Sequence, residues 1–266
     1  MERITKQRPA DERVNVLGVG VDPLTVAELH ARILDIVRER EHALVLHQNV
    51  HGLNLCYHDP ELRAFFNAAP VVFCDGAGVV LGARILGARL PKRITYADWA
   101  WQLAAFAEEE GLSVFLLGAR PGVAEKAAGH LLIKHPGLKV AGVHHGYFDQ
   151  ASESPENEAV LREINAARPD ILLVGFGMPL QERWLARNWD HINASVALTG
   201  GAVFDYVSGE LERGPRILTD NGFEWLARLF IEPRRLWRRY VIGNPLFLVR
   251  VLKQRLNREM RAHRRS

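Results

Sequence analysis

Wherever an apolar run of this chain ends, glycines and polar side chains collect. The most informative junction is Ile171 to Glu182, where Ile171–Val174 gives way to Gly175, Gly177, Pro179, Gln181 and Glu182 at the head of a helical pattern. A buried parallel strand delivers backbone and polar groups to the rim of a sheet in this way. Glycines let a ligand approach the main chain closely. Pro179 suits the first position of the following helix. Gln181 and Glu182 then fall in its first turn, where free N–H groups favour an anion. A tight turn without a ligand fits the same residues. Five other apolar runs end alike, in His47-Gln48-Asn49, Asp75-Gly76-Ala77-Gly78, Gly118-Ala119-Arg120-Pro121-Gly122, His144 to Phe148, and Gly200-Gly201 through Asp205. An aspartate at a strand end, such as Asp75, is a candidate general base or a cap for the next helix. Asp205 suits a ribose contact or a turn cap. His47 and His144 suit hydrogen-bonded structural histidines better than ligands.

Other chemistries lack their signatures. There is no Walker P-loop, no G-x-G-x-x-G after the first strand and no H-E-x-x-H helix. No D-x-D pair offers a clamp for a metal-bound nucleotide sugar, so neither a metal nor a resident cofactor is expected. The two cysteines, Cys56 and Cys74, lie in apolar stretches and read as packed free thiols.

Positioning these groups requires a sheet. Short runs rich in Val, Ile and Leu recur at Val14–Val21, Ala43–Leu46, Val71–Cys74, Ser113–Leu117, Lys139–Val143, Ile171–Val174 and Ser195–Leu198. They lack strict polar alternation, as strands covered on both faces do. Between them, residues 25–40, 97–110, 122–134 and 155–167 carry helical periodicity. The alternation predicts an α/β fold, a mostly parallel sheet with helices on both faces. The 48% apolar content supports a sizeable core.

Charge divides the chain. Residues 233–266 hold eleven Lys and Arg against one acid, Glu259, a net +10, which leaves −7 for the rest of a chain whose total is +3. Such asymmetry points to a polyanionic partner. Residues 1–222 therefore read as a mildly acidic globular core, and 223–266 as a basic helical C-terminal appendage, interrupted at Pro233 and split at Gly243-Asn244-Pro245. Within it Leu248, Val249, Leu252, Leu256 and Met260 form one helical stripe, and Arg250, Lys253, Arg258, Arg261 and Arg265 another face. An anionic membrane surface suits this amphipathic pattern better than nucleic acid, for which no module is present. The N-terminus lacks the apolar core of a signal peptide, and no stretch is long enough to span a bilayer. The expected location is cytoplasmic, peripheral on the inner face of the membrane.

Ordered blocks along the chain resemble the WecG/TagA/CpsF family of bacterial glycosyltransferases, glycosyltransferase family 26. They are Gly18 to Asp22, Asn49, Asp75 to Val80, Arg93, Asp98, Phe115 to Gly122, Gly175 to Glu182, Gly200 to Asp205, Gly209, Arg213, Pro215, Glu224-Trp225-Leu226, Arg228-Leu229, Glu232 to Arg235, and Arg239-Tyr240. The resemblance runs from about Leu17 to Tyr240. It implies a Rossmann-like fold and inverting transfer of a sugar from a UDP-sugar to a polyprenyl-diphosphate-linked sugar. It also implies a C-terminal appendage that completes the site at the membrane. Asp75 matches the family's proposed base, while Asn49, Arg93 and Gln181 match positions near the donor sugar and phosphates. Asp98 lies in a matching block without an assigned role.

Two positions depart from the family pattern. His47 stands where Thr is usual and Tyr96 where Gly is usual, so the donor sugar stays open between N-acetylmannosamine, its uronic acid and glucose. His47 is a second candidate for the base role. The strand-end glycines Gly118, Gly177, Gly200 and Gly201, with Asp205, are the expected substrate-binding backbone. Arg234, Arg235, Arg238 and Arg239 are candidates for the departing diphosphate, the acceptor's diphosphate or lipid headgroups. A nucleotide-binding regulatory module with a membrane-recruiting tail is the competing reading, and an NAD-linked oxidoreductase is opposed by the missing fingerprint. Oligomerisation with further copies is left open.

Overall fold

The computed structural model describes residues 13–219 and 222–263, with side chains to Met260. Arg265 of the basic face lies outside the described residues, as does the side chain of Arg261. In chain order the elements are β1 (Val14–Val16), β2 (Val19–Val21), α1 (Val26–Arg38), β3 (Ala43–Gln48), α2 (Val50–His58), α3 (Pro60–Ala68), β4 (Val71–Cys74), α4 (Ala77–Ile85) and α5 (Tyr96–Glu109). Then come β5 (Ser113–Gly118), α6 (Val123–Lys134), β6 (Lys139–His144), α7 (Pro155–Ala167), β7 (Ile171–Gly175), α8 (Leu180–Asn188) and β8 (Val196–Thr199). Short helices α9 (Val203–Ser208) and α10 (Arg216–Thr219) lead to α11 (Glu224–Ile231), α12 (Pro233–Trp237) and the long α13 (Gly243–His263). The expected α/β class holds: one of two compact units carries five parallel strands flanked by helices.

Unit 2 comprises Val26–His47 and Thr95–Arg213. Its strands run parallel in the order β3-β8-β7-β5-β6. Val114 to Gly118 of β5 align with Ile171 to Gly175 of β7, and Ile171 to Val174 align with Val196 to Thr199 of β8. β7 and β8 are buried along their whole length, which is why they read as continuous apolar runs. Asp170 fixes the start of the register, since its Oδ2 accepts both the N–H and the hydroxyl of Ser113 at 2.7 Å. Parallel register places the turns after β5, β7 and β8 at one rim.

Unit 1 comprises Met1–Thr25, Gln48–Ile94 and Gly214–Ser266. Residues 223–263 thus group with 13–25 and 48–94. The run Val14–Val21, expected as one strand of the parallel sheet, is instead an antiparallel hairpin with Val14 opposite Val21. Leu17 and Gly18 both take positive φ, 53° and 89°, which makes the tight turn that splits it. Asp22 ties the hairpin to β4: its N–H donates to the Val72 carbonyl and its Oδ2 accepts from the Val72 N–H, both at 2.7 Å. Asp59 caps α3 by accepting from the Leu62 N–H at 2.9 Å, with Pro60 at the start of the helix. The cysteines are buried free thiols, as expected.

The C-terminal segment departs from expectation at its second break, and Arg250 of the expected basic face is buried. Pro233 does separate α11 from α12. No break occurs at Gly243-Asn244-Pro245, because a π-helical turn, Arg238–Ile242, joins α12 to α13 without interruption. Pro245 falls near the start of α13, just after that π-helical turn. Phe247 and Val251 seat α13 on α4 at Gly82, where a Cβ would lie 2.7 Å from the Phe247 ring. Among the described residues no helix is long and apolar enough to cross a membrane.

Candidate active site

In unit 1 the chain leaves β4 through Asp75 and Gly76. The Asp75 N–H donates to the Gln48 carbonyl at 2.8 Å, and Gly76 takes φ 133°, a value that favours glycine. The turn starts α4 at Ala77 and leaves the Asp75 carboxyl, half-buried, beside its N-terminus. Burial raises its pKa to about 7, and Glu224 pushes it the same way. Arg93, Arg239 and Arg228 oppose the rise. A carboxyl poised near neutrality is the protonation behaviour a general base needs.

Cations surround this carboxyl. Arg93 donates to the Thr219 carbonyl at 2.5 Å and pairs with Glu224 at 3.0 Å. Arg228 pairs with Glu232 at 3.7 Å. The four candidate arginines Arg234, Arg235, Arg238 and Arg239 part company here. Arg234, Arg235 and Arg238 are exposed, with Arg235 bonded to Glu232 at 2.9 Å and Arg238 against the Trp237 ring. Arg239 turns inward, and its buried Nε has no hydrogen-bond partner among the described residues. Burial, then repulsion from Arg239, lowers the pKa of His51 to about 4, so this histidine stays neutral near pH 7. Asn49 takes the capping role: its Oδ1 accepts from the Gly52 N–H at 3.0 Å at the head of α2. That bond orients the side-chain amide.

Unit 2 carries the glycine turns. Pro179 stands just before α8 rather than at its first position, and Gln181 and Glu182 fill the first turn as expected. Both are fully buried. Gln181 Oε1 accepts from the N–H groups of Gly177 at 3.2 Å and Gly201 at 3.0 Å, cross-linking the turns after β7 and β8. Two backbone donors that the sequence offers to a ligand are thus spent on a side chain. The faces of Gly177 and Gly201 are open, since a Cβ on either would meet nothing within 4 Å. Gly118 and Gly200 have a packing reason: a Cβ would come 2.4 Å from the Gly175 carbonyl oxygen and 2.6 Å from Val203. The Gln181 amide donates to Glu182 Oε1 at 2.8 Å, while Glu182 Oε2 is buried with no partner among the described residues. Burial raises the Glu182 pKa to about 7, against the lowering effect of that hydrogen bond.

His47 is a buried residue of β3, its Nδ1 2.6 Å from the Thr199 carbonyl oxygen. Its ring meets Tyr96 edge-on, with centroids 5.4 Å apart. The two positions that depart from the family pattern therefore touch each other. Asp98 forms an ion pair with Arg213, and Asp205 lies in the first turn of α9.

The structure thus groups Asp75 with Arg93 and Arg239, and Gly177 with Gln181 and Gly201. Glu224, Arg228, His51 and Glu182 were given no site role from sequence. The first two stood in matching blocks, Glu182 in the motif itself, and His51 two residues after Asn49. Burial beside Asp75 or Gln181, which singles them out, is not written in local sequence.

Comparison with known proteins gives a consistent result. The model of a family described as "Glycosyl transferase WecG/TagA/CpsF family" matches residues 14–261. An N-acetylglucosaminyldiphosphoundecaprenol N-acetyl-beta-D-mannosaminyltransferase from Staphylococcus aureus (strain NCTC 8325 / PS 47) is 27% identical over 250 residues, covering 93% of this chain and 95% of the relative. The protein of the same name from strain MRSA252 matches to the same extent.

Proposed function

The chain belongs to the WecG/TagA/CpsF family of glycosyltransferases, and from that premise we propose that it moves a sugar from a UDP-sugar to a polyprenyl-diphosphate-linked sugar, inverting the anomeric centre. The relatives named above carry the acceptor class in their names, and N-acetylmannosamine is the sugar they transfer. The observation that carries the mechanism is the Asp75 carboxyl, raised to about 7 inside a cluster of arginines.

In this reading ionised Asp75 removes the proton of the acceptor hydroxyl as its oxygen attacks the anomeric carbon. The bond to UDP breaks on the opposite face, and the diphosphate leaves with its bonding pair. Fixed donors must then meet the growing negative charge. Arg239, whose buried Nε lacks a partner among the described residues, fits an anion, either the departing diphosphate or that of the acceptor. The turns at Gly177 and Gly201, open on one face and braced by Gln181, suit a nucleotide. Transfer in this scheme needs no metal. Assay of a UDP-sugar panel with a short-chain polyprenyl-diphosphate-sugar tests the reading. It fails if no UDP-sugar is a donor, or if chelator abolishes transfer and divalent cation restores it.

An anionic membrane surface is the proposed site of action. On α13, Val249, Leu252, Leu256 and Met260 are all exposed and lie along one helical stripe. Phe230, at 75% exposure, and Trp237 add apolar surface upstream. Basic side chains beside such a stripe attract anionic headgroups. Replacing Leu252 and Leu256 by Ser should release the protein from anionic vesicles in a flotation assay; unchanged flotation would rule out the stripe as the anchor.

A further inference from the structure

Arg250 does not lie on the solvent face where the sequence pattern put it. It is 8% exposed, with its guanidinium 4.2 Å from the centre of the Tyr57 ring. Its hydrogen bonds go to Asn54, with Nη1 to Oδ1 at 2.7 Å, and to His58. No carboxylate pairs with it among the described residues. The contrast within unit 1 is plain: inward-facing Arg13 has Asp22 at 3.1 Å, and exposed Arg255 has Glu259 at 2.9 Å. Burying a guanidinium is opposed by lost hydration unless an anion returns the charge, and an aromatic face makes up only part of that loss.

Arg250 opens onto a cavity of 440 Å³ between α13, the end of α2 and the turn of the β1–β2 hairpin, lined also by Asn15, Tyr57, Lys253, Asn257 and Arg258. Gln254 fixes its wall, accepting from the Leu17 N–H at 2.9 Å and donating to the Asn15 carbonyl at 3.1 Å. Arg258 donates to the same carbonyl at 3.1 Å. The lining holds three cations and no acid, and neither Lys253 nor Arg258 has a carboxylate partner among the described residues. Three cations with side-chain amides suit a phosphate ester, and the volume suits a small headgroup. At about 100° per residue, Lys253 and Asn257 stand between this cavity and the apolar stripe of Val249, Leu252 and Leu256. A ligand with a phosphodiester head and acyl chains matches both.

We propose that this cavity binds a phosphodiester and takes the headgroup of an anionic phospholipid. Only the lipid source of the phosphodiester rests on the membrane reading. Calorimetric titration of the full chain tests it with three probes: inorganic phosphate, dihexanoyl phosphatidylglycerol below its micellar concentration, and dihexanoyl phosphatidylcholine. Phosphatidylglycerol should bind saturably and at least tenfold tighter than phosphatidylcholine. Lys253→Ser with Arg258→Ser should weaken it about 30-fold, the contribution of two basic residues. Lys92→Ser, which removes one charge elsewhere on unit 1, should change it less than twofold. Lys253→Glu, at an exposed position that spares the fold, should weaken it at least as much as a single neutralisation. Leu252→Ser with Leu256→Ser should keep phosphate binding and lose the added affinity of the lipid. The proposal is overturned if neither phosphate nor phosphatidylglycerol binds, or if Lys253→Glu binds like the wild type. Phosphatidylglycerol no tighter than phosphate would overturn the lipid assignment. Vesicle flotation that survives any of these outcomes leaves the membrane reading standing.

Discussion

Asp75 in unit 1 and Glu182 in unit 2 are both carboxyls that burial raises to a pKa of about 7. Their surroundings differ. Around Asp75 stand Arg93, Arg228, Arg239 and Glu224, and the residue is half-buried. Glu182 is fully buried, no cation contributes to its shift, and its hydrogen-bond donor is the Gln181 amide that braces two glycine turns. A shifted pKa therefore does not identify a catalytic group by itself. Asp75 can lose its proton next to cations that stabilise the anion, whereas no cation among the described residues offsets the burial of Glu182. The first arrangement suits proton transfer and the second suits architecture.

The largest test of this contrast is Asp75→Asn. Transfer should fall on the order of 100- to 10,000-fold, with the thermal midpoint and UDP binding retained. Turnover near the wild-type rate would remove Asp75 as the base. Arg239→Ala should come next, with kcat lower by about 100-fold, the cost of removing one preorganised donor at a developing charge. A loss confined to KM would place Arg239 on substrate binding alone. The pH profile follows. A base must be ionised, so kcat should rise about tenfold per pH unit below the Asp75 pKa of about 7 and level off above it. Glu182→Gln should leave that profile in place; its disappearance in this variant would transfer the titration to Glu182.

The smallest effect on transfer, and the clearest on stability, belongs to Glu182→Gln. A carboxyl whose folded pKa is raised holds its proton in the native state while the unfolded chain has released it. Stability therefore falls as pH climbs from the unfolded value of about 4.5 to the folded value of about 7, and is level outside that window. The drop owed to Glu182, separate from the one that Asp75 adds, should be on the order of 3 kcal/mol in the wild type. The variant should lose most of it in urea titrations at pH 5 and pH 8, and transfer should change less than threefold. An equal pH dependence in both proteins would mean that Glu182 is not the group responsible.

Much of the fold is legible in the sequence, and the residues show why. Strands such as β7 and β8 are buried throughout, so their apolar runs stand out, and α7 begins at Pro155 with Ser154 capping it. The hairpin is not legible there because its turn, Leu17-Gly18, contains a leucine at positive φ inside an apolar run. Helix continuity through Arg238–Ile242 is not legible because a Gly-Asn-Pro sequence reads locally as a break. Among site residues, Asp75, Arg93 and the glycine turns stood out by type and position. Nothing in the string Arg234-Arg235-Leu236-Trp237-Arg238-Arg239 says that only the last arginine turns inward.

By itself the sequence determined the α/β alternation, the family, the aspartate at a strand end and the basic C-terminus. Each is a matter of residue type and short-range periodicity, which local physics reads directly. Only the tertiary structure decided which charges lose water and what meets them there. It set Arg239 beside Asp75, committed Gln181 to the backbone of two turns, and buried Arg250 with no carboxylate partner among the described residues. Desolvation and charge pairing depend on groups tens to hundreds of residues apart in the chain, and only the folded packing brings those groups together.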